Sequence, residues 1–317
     1  MPDEIPIEKS EFVYELAAGY GSPQVFAACS SGLYRSDDGG LNWRSALDTL
    51  ALTEPIPVVS VALSPTFTID RTVVAGLPGG ALRSTDGGDT WQALSFQPPP
   101  PNLTALAFSP NYLADGVILG GTAEDGFLRS SNGGESWSAW NFGLLDLEVL
   151  CLTLSLEFLT DEMIFAGTGT GVFRSTNGGR AWREVTLPGG GTAVLSLACS
   201  APTGMAQVYL AGTEERGLFR SFDQGKTWDP LGTAPYHGPV NAILMSNDGL
   251  YLAALVNQDL IFSRDAGQSW TQVDAPDRSG ISAVLAPDGL APDLPLLLGL
   301  ADGRIVRLES LEPHLQR

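Results

Sequence analysis

The chain has 317 residues, 44% of them hydrophobic and 17% charged, with 37 glycines and 22 prolines, a balance that supplies a full core and suits short strands joined by turns. Its 36 acidic residues against 17 basic ones leave a formal net charge of −19, a field that repels phosphate backbones and anionic membrane surfaces and so excludes nucleic acid as a partner. No run of about 18 uninterrupted apolar residues exists to insert into a bilayer.

The chain opens Met-Pro-Asp-Glu-Ile-Pro-Ile-Glu, without the basic start and apolar segment of a signal peptide. A cytoplasmic location is expected, or a secreted one if a leader has been removed. Beyond this opening, the pattern Ser-x-Asp/Asn-x-Gly-x-x-Trp occurs six times. The copies are Ser36-Asp38-Gly40-Trp43, Ser84-Asp86-Gly88-Trp91 and Ser130-Asn132-Gly134-Trp137, then Ser175-Asn177-Gly179-Trp182, Ser221-Asp223-Gly225-Trp228 and Ser263-Asp265-Gly267-Trp270. Successive tryptophans stand 48, 46, 45, 46 and 42 residues apart. A repeat of that length, rich in glycine and β-formers, predicts an all-β propeller with one four-stranded antiparallel blade per repeat. Length alone suggests two domains, but one propeller domain absorbs residues 1–317, because each blade buries its faces on its neighbours.

Blade two shows the plan. Val58 to Leu63 is an apolar first strand, Ser64-Pro65 begins a loop through Phe67 and Asp70, and Thr72 to Gly76 is a second strand. Pro78-Gly79-Gly80 turns into a third strand ending at Ser84, and a fourth starts at Trp91. Ser109, Tyr112 and Asp115 repeat the loop pattern in blade three, and Ser155, Phe158 and Asp161 in blade four, which marks the three aspartates as turn ties. Third strands carry consecutive apolar residues such as Phe127-Leu128 and Val172-Phe173, as expected where both sheet faces are covered. First strands carry a row of small residues, Ser60, Ala105, Cys151, Ser196, Ala242 and Ser282, suited to crowding near the axis. Tyr14-Glu15 reads as ordinary strand material of blade one. Arg35, Arg83, Arg129, Arg174, Arg220 and Arg307 each precede the box or its equivalent, so they are spread around the ring and cannot converge on one ligand.

Within each box the Asp or Asn side chain is placed to accept the turn's own N–H groups, glycine supplies the positive φ, and the Trp re-enters the sheet. Asp38, Trp43, Asp86, Trp91, Asn132, Trp137, Asn177, Trp182, Asp223, Trp228, Asp265 and Trp270 are therefore read as structural. Ile281 to Leu285, Leu296 to Leu300 and Arg304 to Leu308 form a seventh, boxless unit with no room for a fourth strand after it. The expected blades are about 10–50, 51–98, 99–142, 143–188, 189–234, 235–275 and 276–310, and a strand from residues 4–9 is expected to complete the seventh and close the ring.

The boxes resemble the Asp-box (BNR) repeat family over about residues 12–308. That family includes sialidases, some endoglucanases, sorting-receptor ectodomains and photosystem II assembly factors. The resemblance implies a seven-bladed propeller and places the boxes on the turns between third and fourth strands, away from an active centre. It implies no particular reaction. The sialidase Arg-Ile-Pro motif is absent, since Arg304-Ile305-Val306 lies near the wrong end and lacks the proline.

Candidate functional residues must come from the opposite face, made by the 2–3 turns and the links between blades. Glu124, Asp125, Glu214, Glu215 and Arg216 lie in enlarged 2–3 turns, and Asp146, Glu148, Tyr236 and His237 in links. Trp140 aligns with Leu94, Val185 and Val273 and reads as core. Cys29, Cys151 and Cys199 give no disulfide framework, and two histidines without a Cys-x-x-Cys give no metal site. No cofactor and no catalytic set is expected. The function expected is a non-catalytic recognition scaffold that binds a protein partner, one with a basic surface, alone or in a larger assembly; the oligomeric state is left open. The photosystem II assembly factors are the nearest functional analogy. The alternative is a carbohydrate-active enzyme or lectin of the sialidase-like class.

Overall fold

The computed structural model describes residues 12–200, 207–232, 236–275 and 279–315. Seven separate antiparallel sheets follow one another along the chain, each a meander in which sequence neighbours pair. Blade one is typical, with strands Val13–Ala18, Val25–Cys29, Gly32–Ser36 and Arg44–Ser45. Six sheets have four strands, and the seventh has three among the described residues, Ile281–Leu285, Leu296–Leu300 and Ile305–Leu308. The chain is a seven-bladed β-propeller. The expected strand at residues 4–9 lies outside the described residues. Among the described residues no helix is long and apolar enough to cross a membrane.

The blades meet through a repeated exchange. The second strand places a glycine where the first strand of the next blade arrives: a Cβ on Gly121 would come 2.6 Å from Val149 Cγ1, and one on Gly299 would come 2.7 Å from Val13 Cγ1. The second of these contacts joins blade seven to blade one and closes the ring. Val13, Leu16, Val25 and Ala27 share a buried cluster with Ala283, Leu297 and Ile305 at the same seam. The second strands are buried along almost their whole length, as a sheet covered on both faces demands.

The loops between first and second strands of blades two, three and four fold into single helical turns, Phe67–Asp70, Tyr112–Asp115 and Phe158–Asp161. Their aspartates are the ties expected. Asp70, Asp115 and Asp161 each accept the Ser hydroxyl six residues earlier at 2.6 Å and the N–H two residues later at 2.8–3.0 Å. The C-terminal segment leaves blade seven and returns to blade six. Asp274 N–H donates to His314 O at 2.6 Å, Val273 bridges Leu315, and Arg264 pairs with Glu312 at 2.8 Å.

Candidate functional site

The two ends of the barrel of blades are built differently. At one end lie the six boxes. In the fifth, Ser221 Oγ donates to Asp223 Oδ1 and accepts from Gly225 N–H at 2.8 Å, while Asp223 also accepts the N–H groups of Lys226 and Thr227 and the Thr227 hydroxyl. The Thr227 and Ser221 donors hold the Asp223 carboxyl down at about 2. The box glycine has a second duty. Gly40 has φ +93° and a Cβ there would come 2.6 Å from Leu297 Cδ2 of the preceding blade; Gly88, at φ +87°, faces Phe26 in the same way.

Five arginines of the row reach from their own blade to the next box, while Arg174, whose Nε is buried without a hydrogen-bond partner, makes no such bond among the described residues. Arg129 Nη1 donates to Gly178 O at 2.7 Å, Arg220 Nη1 to Ala266 O at 3.0 Å and Arg35 Nη1 to Gly87 O at 2.5 Å. Arg83 donates to Gly133 O, and Arg307 to Gly39 O across the ring closure. The box tryptophans divide into two sets. Trp43, Trp137 and Trp228 donate to the carbonyl of their own box glycine. Trp91, Trp182 and Trp270 donate back to the preceding blade, at Ala46, Trp140 and Gly232. Trp91, Trp182 and Trp228 are buried, and Trp43, Trp137 and Trp270 half-buried.

The opposite end carries the sequence-predicted partner residues, in separate groups. Glu124 and Asp125 are exposed at the tip of a turn closed by Thr122 Oγ1, which donates to Gly126 O and accepts from Asp125 N–H. The link from blade three to blade four runs beside it: Asn141 Nδ2 donates to Asp125 O, and Gly126 N–H donates to Leu147 O. Farther along this link, Asp146 accepts Thr170 Oγ1–H at 2.9 Å and Glu148 N–H at 3.1 Å. Partial burial pushes the Asp146 carboxyl up, but these donors outweigh it and the net shift is downward. A Cβ on Gly169 would come 2.6 Å from Glu148 Oε2 and 3.5 Å from Asp146 Oδ2, so the two carboxylates converge there.

The fold thus gathers Glu124, Asp125, Asp146 and Glu148 around one link. That link also exposes Phe142 and Leu145, each 81% accessible, and Leu147. Sequence reading passed over these three, although four apolar residues in the six from 142 to 147, with no strand pattern, were visible; the fourth, Leu144, is buried. Glu214, Glu215 and Arg216 stand apart on the blade-five turn, anchored where Glu214 N–H donates to Ala193 O. Tyr236 packs on the core of blade six, and exposed His237 accepts Asn257 Nδ2–H at its carbonyl. Trp140 is half-buried and packs against the core shared by blades three and four, with the Arg129 and Arg180 guanidiniums 4.9 and 5.4 Å from its ring.

The axis holds a cavity of about 370 Å³ walled by the first strands. The register places Ser60, Ala105, Cys151, Ser196, Ala242 and Ala283 at equivalent positions, each paired with the second strand just beyond the opening of the first. Ala283, and not Ser282 as expected, holds this place in blade seven: the bulge between Ile281 and Ala283 recurs in blades one, three, four, five and six, and counted from it Ala283 is the equivalent residue. Ser60 Oγ donates to Leu103 O at 3.4 Å, Cys151 Sγ to Val194 O at 3.4 Å and Ser196 Oγ to Val240 O at 2.7 Å, so in blades two, four and five this residue ties its blade to the next. Burial pushes the Cys151 thiol up to about 12, which leaves it unreactive. In blade one the same position is Glu15, paired with Ala28. Its Oε2 accepts Val61 N–H of blade two at 2.8 Å. Burial pushes its carboxyl up to about 7, against the lowering effect of that hydrogen bond.

With this geometry in place, residues 219–230 match the BNR/Asp-box repeat. The repeat is an Asp-box. The match covers the third strand, box and fourth strand of blade five. No curated protein matches the chain. Solved structures share the fold at low identity. The extracellular domain of BT4673 from B. thetaiotaomicron superposes with a TM-score of 0.74 at 15% identity, over 96% of this chain and 39% of that one. A GH74 enzyme of Niastella koreensis gives 0.72 at 15% identity, over 97% and 53%. YCF48 bound to D1 peptide gives 0.67 at 18% identity, over 96% and 95%. This Asp-box propeller therefore spans about two fifths of the length of the first structure and about half of the second. Propellers of this shape include both a peptide-bound protein and a glycoside hydrolase-family enzyme.

Proposed function

We propose that the protein is a non-catalytic recognition scaffold that binds a protein partner with a basic surface through its 2–3 turns and interblade links. One observation carries this reading: exposed Leu145 and Leu147 flank Asp146 on the link whose Asn141 and Leu147 tie it to the turn of Glu124 and Asp125. An apolar centre with a charged rim is the anatomy of an interface, and the rim's sign selects a basic partner. The peptide bound by YCF48 supports a protein ligand for a propeller of this length.

The rival reading, a carbohydrate-active enzyme or lectin, has the convergence of Asp146 and Glu148 in its favour. Glycoside hydrolysis pairs a protonated general acid with an ionised carboxylate, and the downward shift of Asp146 suits it to the second role alone. Affinity purification from the native organism, followed by association kinetics, tests the proposal. Leu145→Ser is expected to weaken capture. Glu124→Lys with Glu214→Lys is expected to slow association, with an effect that shrinks at high salt. Unchanged association in these variants, with loss of binding on box-turn substitution, overturns the assignment of the face. Turnover of a β-glucan or sialoside that requires Glu148 overturns the scaffold itself.

A further inference from the structure

Glu15 stands alone in kind within the axial cavity. Every other residue on the wall is uncharged, and most are aliphatic. The polar exceptions near it, Tyr14, Thr104, Asn241 and Ser282, are the second residues of their strands and ring the end of the cavity where the links enter. Six blades place a small side chain at this level; only blade one spends a carboxylate there. A carboxylate in such surroundings is costly unless its oxygens are matched. Oε2 has the Val61 N–H; among the described residues Oε1 has no hydrogen-bond partner.

We propose that the axial cavity is a binding site for an organic ammonium ion, a lysine-type side chain or a free alkylamine, with Glu15 as its counter-charge. The chemistry of the wall selects this class. A hard metal cation takes six or more oxygen ligands, and no group of three His, Cys, Asp or Glu is found among the described residues. A guanidinium favours a carboxylate with both oxygens free for its fork, and here one is taken. An ammonium needs a single strong acceptor, which Oε1 provides, and its alkyl chain suits walls such as Leu150 and Leu195. The cavity volume falls within the range of small-molecule sites.

The cavity opens at the link end, and small probes test it without the protein partner. Titration of the protein with n-butylammonium and with Nα-acetyl-lysine amide, followed by the 13C shift of the Glu15 carboxyl and by calorimetry, is expected to show saturable binding at pH 8. Affinity should fall about tenfold by pH 6, because a carboxyl titrating near 7 loses its charge over that interval. Tyr14 and Cys151 are the other titratable groups on the wall. Glu15→Gln keeps an acceptor for Val61 N–H and should weaken amine binding at least tenfold while the circular dichroism is unchanged. In the wild type, n-butanol should not displace the amine, a control that needs no variant. Binding of both probes assigns the site to a lysine side chain, and binding of butylammonium alone assigns it to a free amine. Absence of saturable binding, equal binding by a folded Glu15→Gln protein, or displacement by n-butanol overturns the proposal.

Discussion

The same meander produces two unlike ends. At the box end each turn closes on its own Ser and Asp, and an arginine from the preceding blade lands on the carbonyl just before the box glycine. At the link end the turns of blades three, four and five differ in composition and take their support from neighbouring links. Identical ties repeated around a ring leave little freedom for variation. Turns whose backbone is held while their side chains stay exposed can vary without cost to the ring, and recognition concentrates on such loops.

That contrast breaks first at Trp182. The indole is 3% exposed, donates to Trp140 O at 2.8 Å and meets Phe127 edge to face at 4.9 Å. Trp182→Ala is expected to lower stability by about 3–5 kcal/mol in urea denaturation. A loss below about 1 kcal/mol would mean that the box end is not where the ring is held. Asp223→Ala should cost less, about 1–2 kcal/mol, since its hydrogen bonds are partly solvated. Asp223→Asn should retain most of the stability at neutral pH, because Asn132 and Asn177 accept the same Ser and N–H donors in their own boxes.

The two ends also differ in the sign of their response to pH. The Asp223 carboxyl lies lower folded than unfolded, so its contribution is present above about pH 4 and is lost as pH falls toward 2. Glu15 is the reverse. With a folded value of about 7 above its ordinary 4.5, it favours the folded state most below pH 4.5, and that stability is lost as pH rises through 7. Midpoints of thermal unfolding between pH 4.5 and 8 should therefore slope less in Glu15→Gln than in the wild type. An identical slope would show that Glu15 ionises as freely in the fold as outside it. The smallest effect is expected at the link end, where Glu124→Lys should shift stability by no more than about 0.5 kcal/mol. A larger change would make that turn part of the framework and remove it as a free surface.

Much of this architecture was legible in the sequence because it rests on local chemistry repeated at a fixed interval. The Ser-x-Asp/Asn-x-Gly turn is closed by atoms within about four residues of one another, so each copy could be read without its neighbours. The arginine row was legible as a row, but its target was not, because Arg129 and Gly178 are 49 residues apart. The acidic turn and link residues were visible as irregularities; that Glu124 and Asp125 share a junction with Asp146 and Glu148 came from the packing of one link against two turns.

What the sequence by itself determined is the blade, its repeat and the number of repeats, since periodicity and turn chemistry survive in one dimension. The tertiary structure alone decided which side of each strand met the axis. Ala283, not Ser282, came to the axial row of blade seven. The box tryptophans fell into two sets according to whether a carbonyl of their own turn or of the preceding blade came within reach. Glu15, indistinguishable from strand material in the chain, became the charged group of the axial cavity. The physical reason is common to all three: a side chain's surroundings at the centre of a ring come from strands dozens of residues away, and their register is set only when the blades pack.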